Sequence, residues 1–269
     1  MKVLSLFDGM SCGRLALDRA GIPVTKYYAS EIDKYAIKVS QANYPDTSQL
    51  GDCTSQAFTN WLNAVAEQGK IDLLIGGSPC QGFSFAGGQL AFDDPRSKLF
   101  WQYVEVLHKL KPKYFLLENV KMKKEYLDVI TEALGVEPVF INSSLVSAQN
   151  RQRYYWTNIP MDGLPDDKGI VMADILEDGW HSDRDKSYCL DASYFKGGGL
   201  SNLRTYFEKS RRQIVFSKDG LACVGEADLK GHGYNRRVYH AKGKSPSLCA
   251  ASGGNLEPKV YLEPDQWRK

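Results

Sequence analysis

The segment Gly76-Gly77-Ser78-Pro79-Cys80-Gln81-Gly82-Phe83-Ser84 sets a cysteine at the start of a glycine-rich loop, directly after the apolar run 71–75. A thiol there stands at the open end of a strand, and its thiolate is a strong nucleophile once nearby positive charge lowers its pKa. A cysteine on a turn is more often inert, so the reading needs other groups beside it. Leu117-Glu118-Asn119-Val120 closes a second apolar run, 113–118. A carboxyl group leaving an apolar strand is costly unless paired or protonated, and a protonated Glu118 can donate to a ring nitrogen of a base. Gln149-x-Arg151-x-Arg153 sits at a third strand edge, where guanidinium groups can hold a carbonyl oxygen or a phosphate.

A second group of residues reads as a ligand site. The first apolar run ends in Phe7-Asp8-Gly9-Met10-Ser11-Cys12-Gly13, whose glycines permit a tight turn and close approach to a ligand. It is not the GxGxxG of a dinucleotide binder. Glu31 ends the next strand and suits ribose hydroxyls, and Asp52 suits an adenine amino group. Each acid alone is equally an ordinary turn residue. Together with the missing phosphate fingerprint they favour an adenosine-type ligand.

The elements that must carry these groups alternate between strand and helix. Strands are expected at 2–7, 26–32, 71–75, 114–117, 138–146 and 153–157. Helices are expected from the turn to Ala20, from an Asp33 N-cap to Tyr44, at 54–68 under Thr54 or Ser55, at 98–110 and at 124–134. That alternation implies an α/β domain with a mainly parallel sheet covered on both faces. It stops near Pro160, and short strand-like pieces rich in glycine follow. Residues 161–195 carry nine acids and three bases, whereas 196–244 carry eleven bases and four acids. The basic block suits nucleic acid, or it is a solvated face. The six scattered cysteines form no CxxC pair, which argues against a zinc cluster, and most are expected to be small buried hydrophobes. The N-terminal apolar run is too short for a signal peptide and none is long enough to span a membrane, so a cytoplasmic protein is expected.

Phe7-Asp8-Gly9 with Gly13, Pro79-Cys80-Gln81, Glu118-Asn119-Val120 and Gln149-x-Arg151-x-Arg153 stand in the order and spacing of the cytosine-C5 DNA methyltransferase family, over residues 1 to about 160. Ser78-Pro79-Cys80 and the stretch from Val146-Ser147-Ala148 to Asn158-x-Pro160 are similar to phage, prophage and animal de novo members. Gly243-Lys244-Ser245-Pro246-Ser247-Leu248 with Gly253-Gly254-Asn255 and Pro258-Lys259 resembles the end of the family's target-recognition domain. The resemblance implies a Rossmann-like α/β sheet of the S-adenosylmethionine-dependent methyltransferases over 1–160, and a smaller, irregular recognition domain over 161–262. Residues 263–269 would begin a return to the first domain. It also implies S-adenosylmethionine as cofactor, double-stranded DNA as substrate and no metal. By position, Cys80 is the nucleophile toward C6 of a flipped cytosine, Glu118 contacts N3, Arg153 contacts O2, and Arg151 supports the site. The cofactor pocket takes in Phe7, Gly9, Met10, Glu31, Ile32, Asp52, Pro79 and Leu99. DNA contacts fall to Gln81, Ser84 and Arg96, and in the basic block to Arg211, Arg212, Arg236 and Arg237.

The sequence departs from the family at Trp267-Arg268-Lys269, near the start of a further segment and helix that complete the cofactor pocket in relatives. Apolar surface near residues 3–7 is then expected to stay uncovered, and three origins are open: a truncated gene, half of a split enzyme whose second chain supplies the missing part, or a trimmed chain. Three other readings stay open: an RNA substrate, an inactive or partner-dependent DNA-binding chain, and, more distantly, a Rossmann oxidoreductase.

Overall fold

The computed structural model describes residues 1–68, 71–79, 98–182 and 184–189, and the strand backbones at 215–217, 223–226, 237–240 and 259–261. Contacts divide the chain into two units, Met1–Asn142 with Arg151–Pro165, and Ser143–Asn150 with Asp166–Lys269.

The first unit is built on seven strands: β1 (Lys2–Leu6), β2 (Lys26–Ser30), β3 (Ser48–Gln49), β4 (Leu73–Gly76), β5 (Tyr114–Val120), β6 (Val139–Asn142) and β7 (Gln152–Thr157). Their order is β3-β2-β1-β4-β5-β7-β6. All pairings from β3 to β5 are parallel, and β7 runs antiparallel to both β5 and β6. This is the Rossmann-like α/β class expected of an S-adenosylmethionine-dependent methyltransferase. The connecting helices are α1 (Cys12–Arg19), α2 (Lys34–Asn43), α3 (Gln56–Gln68), α4 (Lys98–Leu110) and α5 (Lys124–Leu134).

Local sequence explains where these elements begin and which face they bury. The Asp33 carboxylate accepts from the Tyr35 and Ala36 amides and caps α2, as expected. Ser55 rather than Thr54 caps α3, with Oγ accepting from the Phe58 amide at 3.1 Å. In α4, Phe100, Tyr103, Val104 and Leu107 recur at helical spacing and are buried. They share a core with Leu4 and Leu6 of β1, Phe58 and Leu62 of α3, and Tyr126 and Ile130 of α5. In β5, Phe115, Leu117 and Asn119 are buried, while Tyr114, Leu116, Glu118 and Val120 are half-buried. The two-residue period therefore sends Glu118 and Asn119 to opposite faces of the sheet.

Three expectations change. Strand β5 continues through Val120, so Glu118 lies inside a strand, paired with Tyr155 of β7, rather than leaving one. The strand expected at 138–146 stops at Asn142. A 3-10 turn at Ser143–Leu145 follows, where Ser143 Oγ donates to the Gln149 carbonyl and Ser147 Oγ to the Ser143 carbonyl. Such local side-chain bonds offer the backbone an alternative to the ladder. Val3, Leu4 and Leu6 are fully buried, against the expected exposure near residues 3–7. The reason is that β1 is a central strand between β2 and β4. Val3 packs in a cluster with Leu17, Ile75 and Tyr114, and Leu4 and Leu6 lie in the main core. Among the described cysteines, Cys53 is buried, Cys189 is half-buried and Cys12 is exposed.

In the second unit, the Lys186 ammonium donates to the Ser144, Ser147 and Ile170 carbonyls at 2.7, 3.2 and 2.5 Å. It ties the 143–150 turn to the chain after 166. Two small sheets follow, of β8 (Trp180–Ser182) with β9 (Val215–Ser217), and of β10 (Cys223–Glu226), β11 (Arg237–His240) and β12 (Lys259–Tyr261). No described helix is long and apolar enough to cross a membrane. No group of three or more His, Cys, Asp or Glu side chains among the described residues is arranged to hold a metal ion.

Candidate active site at the carboxyl ends of β1, β4 and β5

Strand order reverses direction between β1 and β4, since β2 follows on one side of β1 and β4 lies on the other. Ligands of open α/β sheets sit beyond the carboxyl ends of the strands at such a switch point. Leu6 and Gly76, the last residues of β1 and β4, are partners in register. The turn 7–11 and the segment 77–79 therefore leave the sheet side by side.

The first turn is tightly specified. Phe7, Gly9 and Ser11 all have positive φ, at 57°, 59° and 63°. A Cβ added to Gly9 would meet nothing within 4 Å, so the turn faces open space there. The Gly9 amide donates to Glu31 Oε2 at 2.8 Å, and the Ile32 and Asp33 amides donate to Glu31 Oε1, both at 2.8 Å. Glu31 thus joins the β1–α1 turn to the β2–α2 turn, and one lone-pair direction on Oε2 remains for a ligand hydroxyl. Met10 and Ile32 stand exposed beside these turns, and Phe7 is half-buried against the core. Asp52 is exposed beyond β3, with Oδ1 taking the Thr54 amide and hydroxyl at 2.8 Å each. Ser30 Oγ, unremarkable in the sequence, donates to the Gly51 carbonyl at 2.5 Å and fixes the loop carrying Asp52. Next to it, burial pushes the Cys53 thiol up to about 11, an inert small hydrophobe. Two carboxylates at adjacent strand ends, beside exposed apolar side chains, can accept from the hydroxyl and amino groups of a nucleoside. Leu99 is half-buried in the first turn of α4 and packs on the core.

The second cluster joins β4, β5 and β7. Glu118 Oε1 lies 2.6 Å from Arg153 Nε and 3.7 Å from Arg151 Nη2. The Arg153 contact is an ion pair in which Nε makes no aligned hydrogen bond, while Nη1 donates to the Gln152 carbonyl at 2.8 Å. Tyr155, paired with Glu118 across the ladder, has its phenol raised by burial and then by the Glu118 charge, with Arg151 and Arg153 opposing. A Cβ at Gly77 would come 3.2 Å from Glu118 Oε2. On the other face, buried Asn119 donates to the Ser78 carbonyl and hydroxyl at 3.5 and 3.4 Å, and its Oδ1 accepts from the Val120 amide. The segment running to half-buried Pro79 is thus bonded to β5 through Asn119 and passes close to the Glu118 carboxyl group at Gly77.

Three of the four residues expected to do chemistry, Glu118, Arg151 and Arg153, therefore share one cluster. Cys80 lies outside the described residues, as do Gln81, Ser84, Arg96, Arg211, Arg212 and Arg236. For Arg237 only the backbone is described, in β11. Sequence reading passed over Tyr155, Gly77 and the holding role of Asn119. Strand alternation would have put Asn119 opposite Glu118, and the β5–β7 pairing needed for Tyr155 has no local signature.

Residues 1–166 match the C-5 cytosine-specific DNA methylase family. The chain belongs to that family. Over 98% of its length it is 28% identical to the orphan methyltransferase M.Rho11sI of Bacillus phage rho11s, covering 69% of that protein. It is 29% identical over 97% of its length to the orphan methyltransferase M.SPRI of Bacillus phage SPR, covering 66% of it. The chain thus spans about two thirds of these phage relatives. A crystal structure of a prophage-encoded DNA modification methyltransferase from E. coli aligns at 27% identity with a TM-score of 0.47, over 58% of this chain and 46% of that one.

Proposed function

We propose that this chain is a DNA cytosine-C5 methyltransferase that works through a covalent adduct between Cys80 and C6 of a flipped cytosine. The observation that carries the reading is the Glu118–Arg153 pair, with Glu118 on β5 beside the strand that leads to Cys80 and Arg153 on β7 next to β5, in a chain of the C-5 cytosine family. Cytosine C5 is not nucleophilic by itself. Addition of the Cys80 thiolate to C6, with a proton placed on N3, moves an electron pair onto C5. Glu118 holds that proton at N3. Arg153, braced by Glu118, meets the O2 oxygen, and Arg151 supports the same carboxylate. S-adenosylmethionine, when bound, supplies an electrophilic methyl group. Phe7, Gly9, Met10, Ile32, Pro79 and Leu99 would line its pocket, with Glu31 at the ribose and Asp52 at the adenine amino group. After C5 is alkylated, loss of its proton, expulsion of the Cys80 thiolate and return of the N3 proton to Glu118 restore the ring. The base must leave the helix for this to happen. Gln81, Ser84 and Arg96 would close on the DNA, and Arg211, Arg212, Arg236 and Arg237 would divide between phosphates and bases. A cytoplasmic location belongs to the same proposal.

The test uses duplex DNA carrying 5-fluorocytosine. Fluorine cannot leave as a cation, so an active chain given S-adenosylmethionine should be trapped on the DNA through Cys80, as intact-protein mass spectrometry would detect. A chain that methylates ordinary cytosine yet forms no adduct would contradict the covalent scheme. Methylation of transfer RNA but not duplex DNA would replace the substrate.

A further inference from the structure

The β1–α1 turn is held from below by a buried polar chain to which the chemistry above assigns no part. Asp8 is 9% exposed and lies between two residues of positive φ. Its Oδ1 accepts from the Tyr27 hydroxyl at 2.8 Å, and its Oδ2 accepts from Ser11 Oγ at 2.5 Å. Ser11 Oγ lies 2.6 Å from Ser40 Oγ in α2, which also accepts from Gln49 Nε2 of β3 at 3.4 Å. The chain thus runs from β2 through the turn to α2 and β3. Ser11 and Ser40 are fully buried.

Ser11 shows what the arrangement costs locally. Serine is a favoured N-cap, yet Ser11 precedes α1 at φ 63° and its side chain caps nothing. Its hydroxyl is committed to Asp8 and Ser40 instead. Left-handed conformations at Phe7 and Ser11 persist only where surrounding bonds over-determine them, and such backbone clusters at ligand-binding turns. Above, the same turn is held by the Gly9 amide on Glu31. Below, it is held by Asp8.

We propose that Asp8 is a positioning residue for the cofactor: through Tyr27, Ser11 and Ser40 it keeps the 7–11 turn in its binding form before the ligand arrives. Asp8 need not touch the ligand. The inference rests on reading this turn as the S-adenosylmethionine site. Its effect is on binding, since a turn that must be reordered by the ligand lowers affinity by the fraction of time it is disordered.

Calorimetry with S-adenosylmethionine and S-adenosylhomocysteine on the full chain reads this directly. Asp8→Ala should raise both dissociation constants by about tenfold or more, the loss of two buried hydrogen bonds. The KM for S-adenosylmethionine should rise in parallel while the KM for DNA stays put. Asp8→Asn should recover most of the binding, because its oxygen can still accept from Tyr27 and its amide can donate to Ser11, whose proton then turns to Ser40. If Asp8→Ala does not fold, Tyr27→Phe and Ser11→Ala each delete one hydroxyl, and the pair combined should weaken binding by about tenfold with the circular dichroism unchanged. A folded Asp8→Ala chain, or a folded double variant, binding within about twofold of wild type would overturn the inference. So would an Asp8→Asn chain as weak as Asp8→Ala. A wild-type chain that binds neither compound overturns the functional reading and this one with it.

Discussion

Replacing Glu118 by Gln separates catalysis from stability at the candidate site. Glu118 is about a quarter exposed and Arg153 half as much, with 2.6 Å between Oε1 and Nε. The pair lies between an exposed ion pair, worth at most about 1 kcal/mol, and a fully buried one, whose breaking costs about 3–5 kcal/mol. Gln is nearly isosteric and can still present an oxygen to Arg153, so the loss of stability should be about 1–2 kcal/mol. A domain stable by about 5–15 kcal/mol stays folded after that loss. The catalytic effect should be larger. Gln cannot carry the proton to N3, and a positioned acid or base contributes about 10²–10⁴ in rate, or about 3–5 kcal/mol of barrier. Single-turnover methyl transfer at saturating DNA and S-adenosylmethionine should therefore slow by at least about a hundredfold. Thermal unfolding should shift by only a few degrees, and cofactor binding should be unchanged. A Glu118→Gln chain that turns over within about threefold of wild type would refute the role given to the carboxyl group. A rate loss that merely followed the unfolded fraction would refute it too.

Gly76→Ala and Gly77→Ala should part company. The new Cβ at 76 would sit 2.7 and 2.8 Å from ring carbons of fully buried Tyr103, costing about 1–3 kcal/mol in thermal unfolding. At 77 it would approach the end of the Glu118 side chain at 3.2 Å, so turnover should fall by about tenfold with little change in melting. Cys80→Ser should abolish both turnover and the 5-fluorocytosine adduct while DNA binding by gel shift persists, because a hydroxyl is too weakly acidic to add to C6. Asp46 is bonded by Arg14 at 2.7 and 2.9 Å, and that hydrogen bond chiefly holds its carboxyl below the ordinary 3.8. A depressed folded value gives stability present above the ordinary one and lost as pH falls through the folded one. Asp46→Asn should thus cost about 0.5–1 kcal/mol at neutral pH, since Asp46 is two-thirds exposed, and that difference from wild type should shrink on acidification below about pH 4 in urea titrations.

Helices were the most legible part of the chain, because their signals are local. Asp33 announces the start of α2, and Phe100, Tyr103, Val104 and Leu107 trace the buried face of α4. The end of β5 was misread because Glu and Asn are poor strand formers, and only the ladder with β7 keeps Glu118 and Asn119 extended. Strand β3, two residues long, carries no period to read. At the site, Glu118 with Arg151 and Arg153 was legible as a motif, whereas the support beneath it was not. Asp8 finds Tyr27 and, through Ser11, reaches Ser40, and these long-range bonds leave no trace in hydrophobic periodicity. Ser11 before a helix even points the wrong way, since its type suggests a cap that the fold does not use.

What fixes the two halves of the site relative to each other is the absence of side chains at the β1–β4 seam. A Cβ at Gly13, in the first turn of α1, would come 2.9 Å from Ile75 Cδ1, and one at Gly76 would press into Tyr103 while lying 3.4 Å from the Leu6 carbonyl. Helices α1 and α4 thus close on β4 from its two faces, at the point where Leu6 and Gly76 pair. A slip of one residue between β1 and β4 would turn each apolar side chain of the moved strand to the other face and separate these contacts. The register is therefore held by packing against two glycines, and both loops inherit it: the 7–11 turn starts one residue past Leu6, and the 77–79 segment one residue past Gly76. The turn proposed to hold the cofactor and the segment that leads toward Cys80 then depart from neighbouring points of one sheet, which is the kind of placement that the proposed group transfer requires.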